Sequence, residues 1–154
     1  MTLEEALGQK VFKHPTQKGM INIMHSASCV YNQQNKLLKE FDLTVQQFNI
    51  LRILRGRHPQ ACTLKYITGR MIDRNSNTSR LVDKLIAKDL VARSNSCEDR
   101  RRVDIGVTIK GLSLVEKASS RLEQSVLTSS TLTEEEATEL NRLLDKVRSD
   151  FQVD

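Results

Sequence analysis

Residues 63–90 read TLKYITGRMIDRNSNTSRLVDKLIAKDL, and the spacing of their apolar side chains decides the fold. From Thr63 onward Leu64, Ile67 and Met71 recur at three and four, the mark of a short helix that closes near Ile72. The connector Asp73-Arg74-Asn75-Ser76-Asn77 has no apolar side chain to bury and is therefore a turn. Beyond it Leu81, Val82, Leu85 and Ile86 form an i, i+1, i+4, i+5 stripe. A helix that buries this stripe must turn Asn77, Arg80, Asp83, Lys84 and Ala87 outward. Two short amphipathic helices across a polar turn make a helix-turn-helix.

Downstream of Leu90 the period changes from helical to alternating. Val103, Ile105 and Val107 point one way while Asp104, Gly106 and Thr108 point the other, which predicts a strand. Leu90-Val91-Ala92-Arg93 supplies its antiparallel partner, and the polar residues from Ser94 to Arg102 form a hairpin tip between them. Upstream, Thr44 and Gln47 have the spacing of a capping box, and Phe48, Leu51, Ile53 and Leu54 continue it as a helix ended by Gly56 and Pro59. Ile23, Ala27, Val30, Leu37, Leu38 and Phe41 predict a long first helix over about 18–40 with a narrow apolar stripe. Two further helices close the chain within about 110–151. One carries Leu112, Leu114, Val115, Ala118 and Leu122; the other starts at the capping box Thr133 to Glu136 and runs through Leu140, Leu143, Leu144 and Val147. The expected fold is mostly α with a small two-stranded antiparallel β-wing, a winged helix-turn-helix of about six helices. A single domain over 1–154 is expected, with the winged helix at about 43–108 and the terminal helices making a dimer interface, because their apolar stripes lack partner surface in one short chain.

Composition agrees with a helical globular protein: 38% of the 154 residues are apolar and 28% charged, with two prolines and six glycines, too few turn residues for a strand-rich fold. No apolar run approaches the ~20 residues that span a bilayer, and MTLEEALGQK has neither the basic head nor the apolar stretch of a signal peptide, so a cytoplasmic protein without a membrane partner is expected. Cys29, Cys62 and Cys97 stand far apart with no CxxC, which suggests neither disulfides nor zinc. Net charge is +5, but it is unevenly spread: residues 52–110 hold 14 Lys or Arg against 6 Asp or Glu, while the other 95 residues hold 10 against 13. The excess positive charge thus lies in the segment that contains the helix-turn-helix, as expected of a chain that meets nucleic acid.

The outward residues have the chemistry for it. A helix fits the major groove, where paired donors and acceptors distinguish base edges. Ser76, Asn77, Thr78 and Ser79 crowd the beginning of the second short helix, with Arg80 and Lys84 following on its exposed side and Lys65 on the helix before it. Asn77 and Arg80 are the expected base readers. The hairpin tip holds Asp99, Arg100, Arg101 and Arg102, and flat, weakly hydrated guanidinium groups suit the narrow, negative minor groove.

The stretch from Leu43 to Gly111 (LTVQQFNILRIL, TLKYITGRM, NTSRLVDKLIAKDLV, EDRRRVDIGVT, IKG) strongly resembles the MarR family of transcription regulators. The most specific part is Asp99-Arg100-Arg101 followed by Thr108 and Gly111. The resemblance implies a bacterial-type homodimer with interlocking first and last helices. It also implies a recognition helix at 76–88 in the major groove and a wing at 94–102 whose Arg101, oriented by Asp99, enters the minor groove. The expected target is a pseudo-palindromic double-stranded operator, and repression is the family's commoner behaviour. Two residues depart from the pattern: Asp89 stands where the family prefers glycine to end the recognition helix, and Thr78 where a more apolar residue is common.

Family members often release DNA on binding a small aromatic or anionic effector between the dimer helices and the DNA-binding part; Met24, His25, Phe48 and Arg52 are the candidate lining here. The family's peroxide-sensing cysteine falls near the start of the first helix, about two turns before Cys29, so that match fails. Cys29 and Cys62 read as small packing residues, and Cys97, beside the tip arginines, as a candidate redox thiol. No phosphate loop, metal-ligand cluster or nucleophile–histidine pattern speaks for an enzyme, and no cofactor is called for. The alternative is a winged-helix module that binds protein without specific DNA binding; the basic segment and the three tip arginines discriminate against it.

Overall fold

The computed structural model describes residues 1–95 and 103–151. Asp99, Arg100, Arg101, Arg102 and Cys97 lie outside the described residues. Contacts divide the chain into two compact units, residues 1–122 and 123–154.

The first unit opens with α1, Leu3–Leu7, started by a capping box between Thr2 and Glu5 and anchored by buried Leu3 and a 2.6 Å ion pair from Lys18 to Glu4. Helix α2, Pro15–Leu38, begins with proline in its first turn, where a missing N–H costs nothing. A single 3-10 turn, Lys39–Phe41, follows and ends at Asp42 in the left-handed region (φ 53°). Helix α3, Val45–Arg55, is started by the reciprocal Thr44–Gln47 capping box that its spacing predicts. Then come β1 (Cys62–Thr63), α4 (Leu64–Arg70), α5 (Thr78–Ala87), β2 (Val91–Asn95), β3 (Val103–Val107) and α6 (Ile109–Ser129), the last of which runs across the division between units. The core gathers Leu38 and Leu43, Ile50, Leu51 and Leu54 of α3, Ile67 of α4, Val82 and Leu85 of α5, Ile105 of β3, and Val115 and Ala118 of α6. Arg55 on α3 ties to Glu116 on α6 at 2.6 Å.

The hairpin is antiparallel, as its alternation predicts, but its ladder runs from Val91 opposite Val107 to Asn95 opposite Val103, so Ser94 and Asn95, expected in the tip, belong to the strand. The sheet has three strands and not two, in the order β1-β3-β2, because Cys62 and Thr63 pair with Ile105 and Asp104. Two residues carry no readable alternation, so β1 exists only through its partner. Seven α-helices, and not six, occur among the described residues; α1 is too short to show a period, although Thr2-x-x-Glu5 is itself a capping signature. The first long helix starts at Pro15, earlier than its apolar spacing indicates, since its opening turn buries nothing. Cys29 is exposed within the chain and is no packing residue there, while Cys62 is buried.

The second unit contains the end of α6 and α7, Glu134–Ser149. Helix α7 has the expected Thr133–Glu136 capping box, three glutamates in its first turn and Lys146 and Arg148 in its last, all favourable to the helix dipole. Val126, Leu127, Leu132, Leu140, Leu143 and Phe151 are exposed in this unit, as are Met24, Val30 and Tyr31 in the first. No helix of the described residues is long and apolar enough to cross a membrane.

Candidate nucleic-acid interface

Helix α5 is held at both ends. At its start the Asn77 side-chain oxygen accepts from the Arg80 backbone N–H at 3.1 Å. The turn before it is stiffened by Asp73, whose carboxylate accepts from the Asn75 N–H and the Ser76 hydroxyl, each at 3.0 Å. At its end, Leu90 N–H reaches the Leu85 carbonyl at 3.0 Å and Asp89 N–H the Ile86 carbonyl at 2.9 Å, the paired bonds of a Schellman turn. Asp89 takes the left-handed position with φ 60°, the conformation that glycine adopts at least cost, so the departure from the family pattern is met by strain rather than by a different turn.

The beginning of α6 clamps that turn. Thr108 donates from its N–H to the Leu90 carbonyl (3.1 Å) and from its hydroxyl to the Asp89 carbonyl (2.9 Å), and its hydroxyl oxygen accepts from the Gly111 N–H (3.0 Å). Lys110 donates to the Lys88 carbonyl at 2.9 Å. Gly111 is where the two backbones meet: a Cβ there would lie 2.1 Å from the Leu90 carbonyl oxygen. From the other side, Lys88 pairs with the Asp42 carboxylate at 2.9 Å and also donates to the Asp42 carbonyl. Asp83 is paired with Arg93 of β2 at 2.7 Å, which fixes the helix to the wing.

On this frame Ser79, Arg80 and Lys84 are exposed along one helix, and Lys65 is exposed on α4. Neither Arg80 nor Lys84 forms an ion pair among the described residues. Asn77 is exposed at the cap, with its amide oxygen engaged and its amide nitrogen free of any hydrogen bond among the described residues. Ser76 is half-buried against Asp73. Thr78 differs from expectation: it is only 4% exposed, its hydroxyl donates to the Ser76 carbonyl at 3.3 Å, and its side chain belongs to the interior rather than to the outward set. A buried threonine at this position explains why more apolar residues suit it.

The four effector candidates fall in two pairs. Phe48 is buried with the Arg52 guanidinium 5.9 Å from its ring centroid, whereas Met24 is exposed and His25 is half-buried with Nδ1 3.8 Å from the Cys29 sulfur. An open groove of about 520 Å³ in the first unit involves none of them: it is lined by residues including Lys39, Asp42, Thr44, Gln47, Lys84 and Lys88, between the turn after α2 and helix α5. Its lysines come from two separate stretches of chain, Lys39 after α2 and Lys84 with Lys88 at the end of α5, so sequence spacing carries no sign of the groove. Burial pushes the Cys62 thiol above the ordinary thiol range, against the lowering effect of Arg57.

Residues 43–103 match the MarR family. The chain is 34% identical over 113 residues to the HTH-type transcriptional regulator MgrA of Staphylococcus aureus, covering 73% of this chain and 75% of that one. Its structure is similar to S. aureus MepR in complex with DNA, with a TM-score of 0.70 and 27% identity over 88% of this chain and 96% of that one. It is also similar to Bordetella bronchiseptica BpsR, whose DNA binding is regulated by 6-hydroxynicotinic acid, with a TM-score of 0.64 and 27% identity over 82% and 98% of the two chains.

Proposed function

The chain belongs to the MarR family of transcription regulators, and on that premise we propose that it is a homodimeric repressor that reads a pseudo-palindromic operator with α5 in the major groove. The observation that carries this reading is the pinned helix: Ser79, Arg80 and Lys84 are exposed on an element whose two ends are fixed by the Asn77 cap and the Thr108–Lys110 clamp. Base readout needs donors in a fixed orientation, and a helix anchored independently of DNA supplies it before binding.

Arg80 and Asn77 contact bases, while Ser76, Ser79, Lys84 and Lys65 contact phosphates. Asp99, Arg100, Arg101 and Arg102 are assigned to the minor groove on sequence grounds and on the family's pattern. The dimer uses the long first helix and the two last helices; the exposed Met24, Val30 and Tyr31, with Leu140, Leu143 and Phe151, are apolar surface that a second copy would cover. A small aromatic or anionic effector, of the kind named for BpsR, is expected to relieve binding. The protein acts in the cytoplasm, as a regulator and not as an enzyme.

The test is binding of the purified protein to its own upstream DNA against random DNA at two salt concentrations. Selective, salt-sensitive binding by a dimer supports the reading. Equal affinity for both DNAs even at low salt overturns it in favour of a protein-binding module.

A further inference from the structure

Tyr66, near the beginning of α4, has two guanidinium groups packed over its ring: that of Arg57 lies 5.2 Å from the ring centroid and that of Arg70 lies 4.6 Å from it. Arg70 stands one helical turn after Tyr66, and Arg57 comes from the loop between α3 and β1. Neither arginine forms an ion pair among the described residues, whereas Arg55, Arg93, Arg121, Arg142 and Arg148 each do. The Arg57 Nε is screened from solvent and makes no hydrogen bond, the only buried side-chain atom of that kind among the described residues. Nor is a carboxylate near in sequence: residues 43–72 contain five Lys or Arg and no Asp or Glu. The carboxylate brought in by the sheet, Asp104 opposite Thr63, pairs with neither arginine.

Two like charges held at one aromatic ring repel each other, and neither has a carboxylate partner among the described residues to offset that repulsion. Cation–π attraction to the shared ring holds both groups but does not neutralise their charge. An anion does, and a flat guanidinium fork matches phosphate oxygens in geometry as well as charge. Helix α4 is the first helix of the helix-turn-helix, the one that crosses the nucleic-acid backbone when the second lies in the groove. The geometry points to a backbone phosphodiester of the bound DNA, gripped by Arg57 and Arg70, with Tyr66 as the positioning residue that holds both guanidinium groups. This rests on the DNA-binding reading and adds to it a contact ahead of the recognition helix and independent of the wing.

The test compares Arg57→Gln, Arg70→Gln, Tyr66→Leu and Tyr66→Phe with wild type, on the upstream fragment and on a random-sequence duplex, over a range of salt. Lys10→Gln, an exposed lysine outside both the helix-turn-helix and the dimer helices, controls for loss of one charge. Either arginine change is expected to lower the slope of log affinity against log salt by about 0.9 per phosphate contact removed, counted twice in a dimer. Affinity then falls by the same factor on both DNAs, so selectivity is unchanged. Tyr66→Leu, which alters no charge, weakens binding likewise, and Tyr66→Phe, which keeps the ring, restores it. Arg70 is exposed, so its variant keeps the test open if Arg57→Gln does not fold. Variants that fold and bind with the wild-type slope, or no more weakly than Lys10→Gln, overturn the phosphate grip alone. A wild-type protein without salt-dependent binding overturns the parent reading and the grip with it.

Discussion

Replacing Gly111 by alanine sets two physical effects against each other. Alanine is the better helix former by about 1 kcal/mol, and on propensity alone the change would stabilise α6. The added methyl, however, would lie 2.1 Å from the Leu90 carbonyl oxygen and 2.8 Å from a Val107 methyl. Carbon and carbonyl oxygen come no nearer than about 3.3 Å in ordinary contact, so the backbones of the recognition-helix turn and of α6 must part by about 1 Å. The Leu90 carbonyl cannot rotate away, since it accepts from Thr108 N–H and its own N–H closes the Schellman turn on Leu85. Overpacking of this kind costs about 1–3 kcal/mol, and weakening the Thr108 bond adds about 1 kcal/mol. With the propensity gain subtracted, the net loss is about 2 kcal/mol, or about 4–8 °C in Tm for a chain of this size. Thermal unfolding followed by circular dichroism, at one protein concentration because the Tm of a chain that associates depends on it, reads the result. A rise in Tm, or no change, would mean that the close approach of α6 to the end of α5 is not a constraint on the fold, and the clamp argument would fail with it.

Asp89→Gly at the left-handed position of the recognition-helix turn should stabilise the protein by about 0.5–1 kcal/mol, measured by denaturant unfolding; destabilisation would show that the Asp89 side chain does more than tolerate the turn. Arg80→Ala should remove about 1–3 kcal/mol of discrimination between upstream and random DNA, read as the ratio of the two affinities, whereas Arg101→Ala should weaken both more evenly. The Cys62 thiol, buried and raised above the usual thiol range, should react with a thiol reagent near neutral pH only as the chain unfolds; rapid labelling of the native protein at Cys62 would contradict its burial.

Much of the DNA-binding part was legible because its signals are local. The stripe Leu81, Val82, Leu85, Ile86 needs only the helical period to turn Arg80 and Lys84 outward, and the Thr44, Thr63 and Thr133 caps lie within three residues of the groups they satisfy. The Val103–Val107 alternation sufficed for the wing strand and its partner. Local reading went wrong where residue type was weighed over the period. Thr78 stands three and four residues before Leu81 and Val82, on the buried face of α5, but its hydroxyl in a polar run placed it with the outward set.

What the sequence by itself determined is therefore the helix-turn-helix, its outward chemistry and the order of elements around it, since each depends on residues a few positions apart. What only the tertiary structure decided are the meetings between distant stretches: β1 on β3, Gly111 against the Leu90 carbonyl, Lys88 on Asp42, and Arg57 with Arg70 at Tyr66. Periodicity records which face of an element is buried but not what lies against it, and these contacts arise only when the folded chain brings separate backbones within a few ångströms.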